Sequence, residues 1–189
     1  MANMKRDEVL VSVDVEASGP TPSTGSLLSI GACLVDDPSV GIYLELKPDP
    51  DRPWSAEAEG VHGLERGRLE REGLTPVEAM RRLADWLDQV AGGRQPIFVG
   101  FNAPFDWMFV ADYLSRYLGR NPFGISALDL KSYYMGREAV ERWDETRMIH
   151  VEGHYGLGFE HSHHALHDAR DQAHLARVLM GRREESSGL

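Results

Sequence analysis

The stretch Glu8–Ala17, EVLVSVDVEA, decides the fold. Apolar residues first alternate along it and then fill with valine, the pattern of a strand. It ends on two acids, Asp14 and Glu16, two positions apart. Strand side chains point to opposite faces in turn, so both carboxylates lie on one face. Two like charges there need a counter-charge, unless they are simply solvated, which is the commoner fate of an isolated pair. The pair is therefore informative only if partners arise elsewhere in the chain.

Outward from this strand, SLLSIGACLVDD (26–37) and VGIYLELKP (40–48) repeat the pattern, so three strands open the domain. From Asp49 to Gly73 the chain is rich in Pro, Gly and charge and reads as an irregular crossing segment. Thr75 and Pro76 start a helix in which Val77, Met80, Leu83, Ala84, Leu87 and Val90 recur at helical spacing, and Gly92 and Gly93 end it. PIFVGFN (96–102) is a short, fully apolar strand, followed by a helix over 103–119 with Pro104 in its first turn and Gly119 at its end. SALDLKSYY (126–134) supplies a fifth strand ending near Asp129, and 137–161 has no clean period. The last helix, HALHDARDQAHLARVLMG (164–181), has an apolar face that includes Ala165, Leu166, Ala169, Ala173, Ala176 and Val178. The order β, β, β, α, β, α, β, α predicts an α/β domain, a five-stranded mixed sheet flanked by helices.

At 189 residues the chain fits one domain, which buries roughly 70% of its unfolded surface and needs no disulfide. Residues 1–181 are assigned to it, and 182–189 to a disordered C-terminal tail. The single cysteine, Cys33, sits in an apolar run and reads as core. The first residues, MANMKRDEV, lack the apolar core of a signal peptide, and nowhere do eighteen apolar residues run together, so a cytoplasmic protein with no membrane partner is expected. Thirty acidic against twenty basic residues give a formal charge of −10, which counts against long nucleic acid held by counterion release. It does not exclude a nucleic-acid enzyme, because a carboxylate site is acidic until cations fill it.

Asp106 follows the apolar strand IFV and falls in the first turn of the next helix, where the helix dipole alone would favour a carboxylate. Asp168 lies early in the last helix, and His163 precedes it by five positions in the loop leading in. A free histidine titrates near about pH 6.5, which suits a general base near neutrality. The run HSHHALHDARDQA holds four histidines, which raises a zinc site, yet no cysteine is near and the acids are hard oxygen ligands, which favour Mg²⁺ or Mn²⁺.

Taken in order, VDVEASGP, GFNAPFDWMFV and HHALHDARDQA resemble the three motifs of the DEDDh exonucleases, a family that includes RNase T, oligoribonuclease and the proofreading subunit of bacterial DNA polymerase III. EGVHGLERGRL resembles the family's HGI segment, and the likeness runs from about Val9 to Leu179. The resemblance implies an RNase H-like fold and a metal-dependent 3′→5′ exonuclease that hydrolyses single-stranded ends of RNA or DNA, or short oligonucleotides, to nucleoside 5′-monophosphates. It implies two Mg²⁺ or Mn²⁺ ions per site. Asp14, Glu16 and Asp168 would hold the ion that binds the attacking water, Asp14 would bridge to the second, Asp106 would orient that second ion through waters, and His163 would take the proton. His161, His164 and His167 are rivals for the base, but only His163 has the family's spacing. Ala17, Ser18, Val61, His62, Asn102 and Phe105 would contact the terminal nucleotide. This chain has Phe101 where the family often has histidine, and Ala17–Ser18 where it often has threonine after the glutamate. Lys131, Tyr133, Tyr134, Arg137, Arg142 and Trp143 give the segment before the last helix a basic and aromatic flavour suited to single strands, diluted by neighbouring acids. Many relatives are homodimers, so a dimer is a possible partner state. A polymerase-associated proofreading subunit is one alternative, and a non-catalytic nucleic-acid-binding or scaffold protein another.

Overall fold

The computed structural model describes residues 7–160 and 162–182, without the side chain of residue 58. Five strands, β1 (Glu8–Ala17), β2 (Leu27–Leu34), β3 (Gly41–Glu45), β4 (Gln95–Gly100) and β5 (Ala127–Asp129), form one mixed sheet in the order β3-β2-β1-β4-β5. β1 is central. It runs antiparallel to β2 and parallel to β4, and β4 is parallel to β5. The helices are α1 (Ala56–His62), α2 (Arg66–Glu72), α3 (Pro76–Ala91), α4 (Pro104–Leu118), α5 (Leu130–Arg137), α6 (Met148–Tyr155) and α7 (Ala165–Met180), with a 3-10 turn at Trp143–Thr146.

The alternation in β1 divides the core. Val11, Val13 and Val15 pack with Met80, Leu83 and Leu87 of α3 and Phe109 and Val110 of α4 on one face. Leu10 belongs to the opposite layer, with Cys33, Val99 and Ala169, Ala173 and Ala176 of α7. Asp14 and Glu16 share the parity of Leu10, so they stand on the α7 face. That helix reaches them because β2 carries Gly31 beside Asp14: a Cβ at Gly31 would lie 2.1 Å from the carbonyl carbon of Ala165. The missing side chain lets the first turn of α7 rest backbone against backbone on the sheet.

α3 follows the expected bounds and opens on a full capping box, with Thr75 and Glu78 each bonding the other's backbone. Val77 proves exposed, and Ala79 and Ala91 join its buried face instead. The fifth strand is shorter than expected. Asp129 accepts from Ser132 N at 3.0 Å and caps α5, so LKSYY continues as helix. The crossing segment 49–73 is also less irregular than its composition suggests, since it holds α1 and α2, and 137–161 holds the 3-10 turn and α6. Arg182, the first residue assigned to the tail, is ordered and pairs with Asp36 at 2.7 Å. The rest of that tail and His161 lie outside the described residues. No helix among the described residues is long and apolar enough to cross a membrane.

Candidate active site

The acids converge where the parallel strands end. β1 and β4 pair only as far as Ser12 and Val99, so beyond that point the edge of β1 is free of a neighbouring strand. Asp106, at the third position of α4, takes the place of the strand: its Oδ1 accepts from Val15 N at 3.0 Å. The dipole of α4 is thus not the only reason for a carboxylate there. Gln172 of α7 donates from Nε2 to Asp14 Oδ1 at 2.6 Å and accepts from Phe101 N at 2.9 Å. Glu16, His163 and Asp168 each offer a ligand atom within 4.8 Å of the others. His163 holds a left-handed backbone (φ 51°), a conformation few non-glycine residues adopt, and Ser162 Oγ donates to Asp168 Oδ1 at 3.3 Å. Of the rival histidines, His164 is stacked between Tyr43 and His167, with ring centroids 4.2 and 4.3 Å away. Neither of that pair belongs to the trio.

The charges are crowded. Burial, then the carboxylates of Asp106, Glu16 and Asp168, push Asp14 well above the ordinary aspartate value, against the Gln172 hydrogen bond. Burial, then Asp168 and Asp106, raise Glu16 from 4.5 to about 8. Asp106 is likewise raised from 3.8 to about 8 by burial, opposed by its hydrogen bonds from Val15 and its own N–H. The donor set is all carboxylate oxygen with one histidine, which fits hard divalent cations, and cations would relieve the repulsion.

This crowding makes metal-free stability depend on pH. Glu16 and Asp106 release their protons near 4.5 and 3.8 when unfolded and near 8 when folded, so between those values the folded state binds more protons. Stability of the metal-free protein therefore falls as pH rises through that window. In EDTA, the melting temperature is expected to drop between about pH 5 and about pH 8, and added Mn²⁺ to raise it more at the higher pH. A melting temperature in EDTA that is flat or rises across the window would contradict the crowding.

Beside Glu16 lies a cavity of about 500 Å³ lined by Ala17, Ser18, Trp54, Val61, His62 and Phe105 among others. Five of the six residues expected at the terminal nucleotide are thus gathered there. Asn102 is not among them and stands exposed with φ 60°. Ser18 is buried, and its hydroxyl accepts from Ser26 N at 2.9 Å and donates to Pro53 O at 3.4 Å, so it shapes the wall rather than offering a free hydroxyl. His62 Nδ1 accepts from Leu64 N at 2.9 Å, which leaves the proton on Nε2, a buried donor with no partner. Burial lowers the His62 pKa, which favours the neutral ring. Trp54 and Gln172 escaped the sequence reading. Gln172 carried a usable signal, because it lies one turn beyond Asp168 on the same helix face. Trp54, in a proline-rich segment, carried none.

The RNase T exonuclease family model matches residues 11–176. The chain belongs to that family. This exonuclease is 44% identical over 173 residues to the 3′-5′ DNA exonuclease Cap18 of Escherichia coli, covering 91% of each chain. It is 27% identical over 205 residues to Ribonuclease T of Hahella chejuensis, covering all of this chain and 90% of that one. Among solved structures it resembles the nuclease domain of 3′hExo, a DEDDh family member bound to rAMP, with a TM-score of 0.76 at 15% identity over 97% of this chain and 96% of that one. It also resembles E. coli exonuclease I in complex with a dT13 oligonucleotide, with a TM-score of 0.71 at 18% identity, covering 93% of this chain and 42% of that one. The five-stranded mixed sheet with flanking helices is that of the DEDDh exonucleases.

Proposed function

We propose that this exonuclease removes nucleotides from the 3′ end of single-stranded DNA by two-cation hydrolysis, with Asp14, Glu16, Asp106 and Asp168 holding the ions and His163 as general base. The observation that carries the reading is the meeting of these acids and His163 in one cluster, with Glu16 also lining the 500 Å³ cavity and Asp14 and Asp168 the cleft beside it. Bound Mg²⁺ or Mn²⁺ would supply an activated water and neutralise charge growing on the leaving oxygen. His163, exposed on its loop, would accept the proton of the attacking water as the water oxygen bonds to phosphorus and the P–O3′ bond breaks, and the departing O3′ would take a proton from solvent. The upstream strand leaves with a 3′-hydroxyl and the terminal residue as a nucleoside 5′-monophosphate. Trp54, Val61 and Phe105 give the terminal base apolar surface. On the other flank of the acids a cleft of about 180 Å³, lined by Asp14, Phe101, Met148, Phe159 and Asp168, receives the next nucleotide.

DNA is favoured over RNA by the relative at 44% identity, a DNA exonuclease, against a ribonuclease at 27%. Matched DNA and RNA oligomers separate the two: DNA is expected to shorten faster, and faster digestion of RNA would reverse the assignment. Removing the base should cost about 10²–10⁴ in turnover, so His163→Ala is expected to lose rate by that factor while still binding Mn²⁺. A variant that digests as fast as the parent would remove His163 from this role.

A further inference from the structure

We propose that Gln172 is a positioning residue that sets cation affinity through Asp14, an inference that rests on the assignment of Asp14 to the metal site. The side chain is 5% exposed, and both ends of its amide are committed: Nε2 donates to Asp14 Oδ1, and Oε1 accepts from Phe101 N at the end of β4. A flipped amide would set Oε1 against the carboxylate and Nε2 against an N–H, so only one orientation satisfies both partners. The amide therefore fixes the rotation of the Asp14 carboxylate while adding no charge to a site already crowded with acids. It also ties together the elements that carry the site. Gln172 lies four residues after Asp168 on α7, and it grips the segment that leads into α4 and Asp106. The other side of that segment is held by Asp129 Oδ1, which accepts from Ala103 N at 3.0 Å. One neutral side chain thus sets Asp14 relative to both Asp168 and Asp106.

Partners that orient metal ligands typically govern metal affinity by about 10- to 100-fold when removed. Gln172 also lines the 180 Å³ cleft, so Mn²⁺ binding without nucleic acid is the readout that isolates the positioning role. The test titrates Mn²⁺ into the metal-free protein without nucleic acid, read by electron paramagnetic resonance, for the parent, Gln172→Leu and the near-isosteric Gln172→Met, with folded protein confirmed by circular dichroism. Asp14→Asn serves as the control. The variants are expected to bind Mn²⁺ about 10- to 100-fold more weakly. If either folded variant binds Mn²⁺ like the parent, or shows a raised KM with unchanged Mn²⁺ affinity, the positioning role is overturned. If Asp14→Asn also binds like the parent, or the parent binds none, the failure lies instead in the metal-site assignment.

Discussion

Replacing Asp14 by asparagine is expected to abolish hydrolysis and, in EDTA at about pH 8, to raise the melting temperature. The two effects have one cause. Desolvation of the half-buried Asp14, then the carboxylates of Asp106, Glu16 and Asp168, hold its carboxyl well above the ordinary range, so its charge is a cost to the empty fold. Asparagine keeps the shape, can accept the Gln172 hydrogen bond through its carbonyl, and removes a charge. The same change deletes one of the acids proposed to hold the cations, so the rate should fall by about 10³-fold or more, about 4 kcal/mol of transition-state stabilisation. Thermal melts in EDTA and digestion assays in Mg²⁺ check both halves. A variant that is active, or one that is inactive and less stable without metal, would show that Asp14 has another role.

Gly31→Ala is expected to be the most damaging single methyl group that can be added away from the acids. Its Cβ would fall 2.1 Å from the backbone of both Ala165 and Leu166, where no side-chain rotation can relieve it. Either β2 or the first turn of α7 must shift, at about 1–3 kcal/mol or more. Asp14 is the cross-strand neighbour of Gly31, and Asp168 lies in the displaced turn, so the distance between two of the proposed metal ligands changes with it. A misplacement of about 1 Å can cost about 10²-fold in rate. Gly136→Ala on α5, whose Cβ would meet nothing within 4 Å, is the control and should leave both properties near the parent. Parent-like activity and melting temperature in Gly31→Ala would refute the backbone contact.

The parts of this fold legible in sequence are those where local preference and tertiary packing agree. β1 has the bounds its alternation predicts, and α3 begins at its capping box and ends at Gly92. Asp129 broke the agreement elsewhere, since a residue that closes a strand also caps a helix, and local pattern does not say which follows. The short α1 and α2 were hidden by the Pro- and Gly-rich composition around them. In the site, the acids could be ranked by order and spacing, but the use of Asp106 to satisfy Val15 N depends on where β1 and β4 part, a property of the sheet rather than of either segment. The commitment of the Ser18 hydroxyl to Ser26 and Pro53 is likewise a tertiary fact, as is the Tyr43 stack that occupies His164.

The most direct test follows a single-stranded DNA oligomer labelled at its 5′ end or at its 3′ end, incubated with the protein in Mg²⁺, in Mn²⁺ or in EDTA. With either metal, the 3′ label should leave at once as a mononucleotide while the 5′-labelled strand shortens stepwise, and EDTA or a blocked 3′ end should stop both. Release of the 5′ label first, or equal digestion in EDTA, would contradict a metal-dependent 3′→5′ exonuclease built on Asp14, Glu16, Asp106, His163 and Asp168.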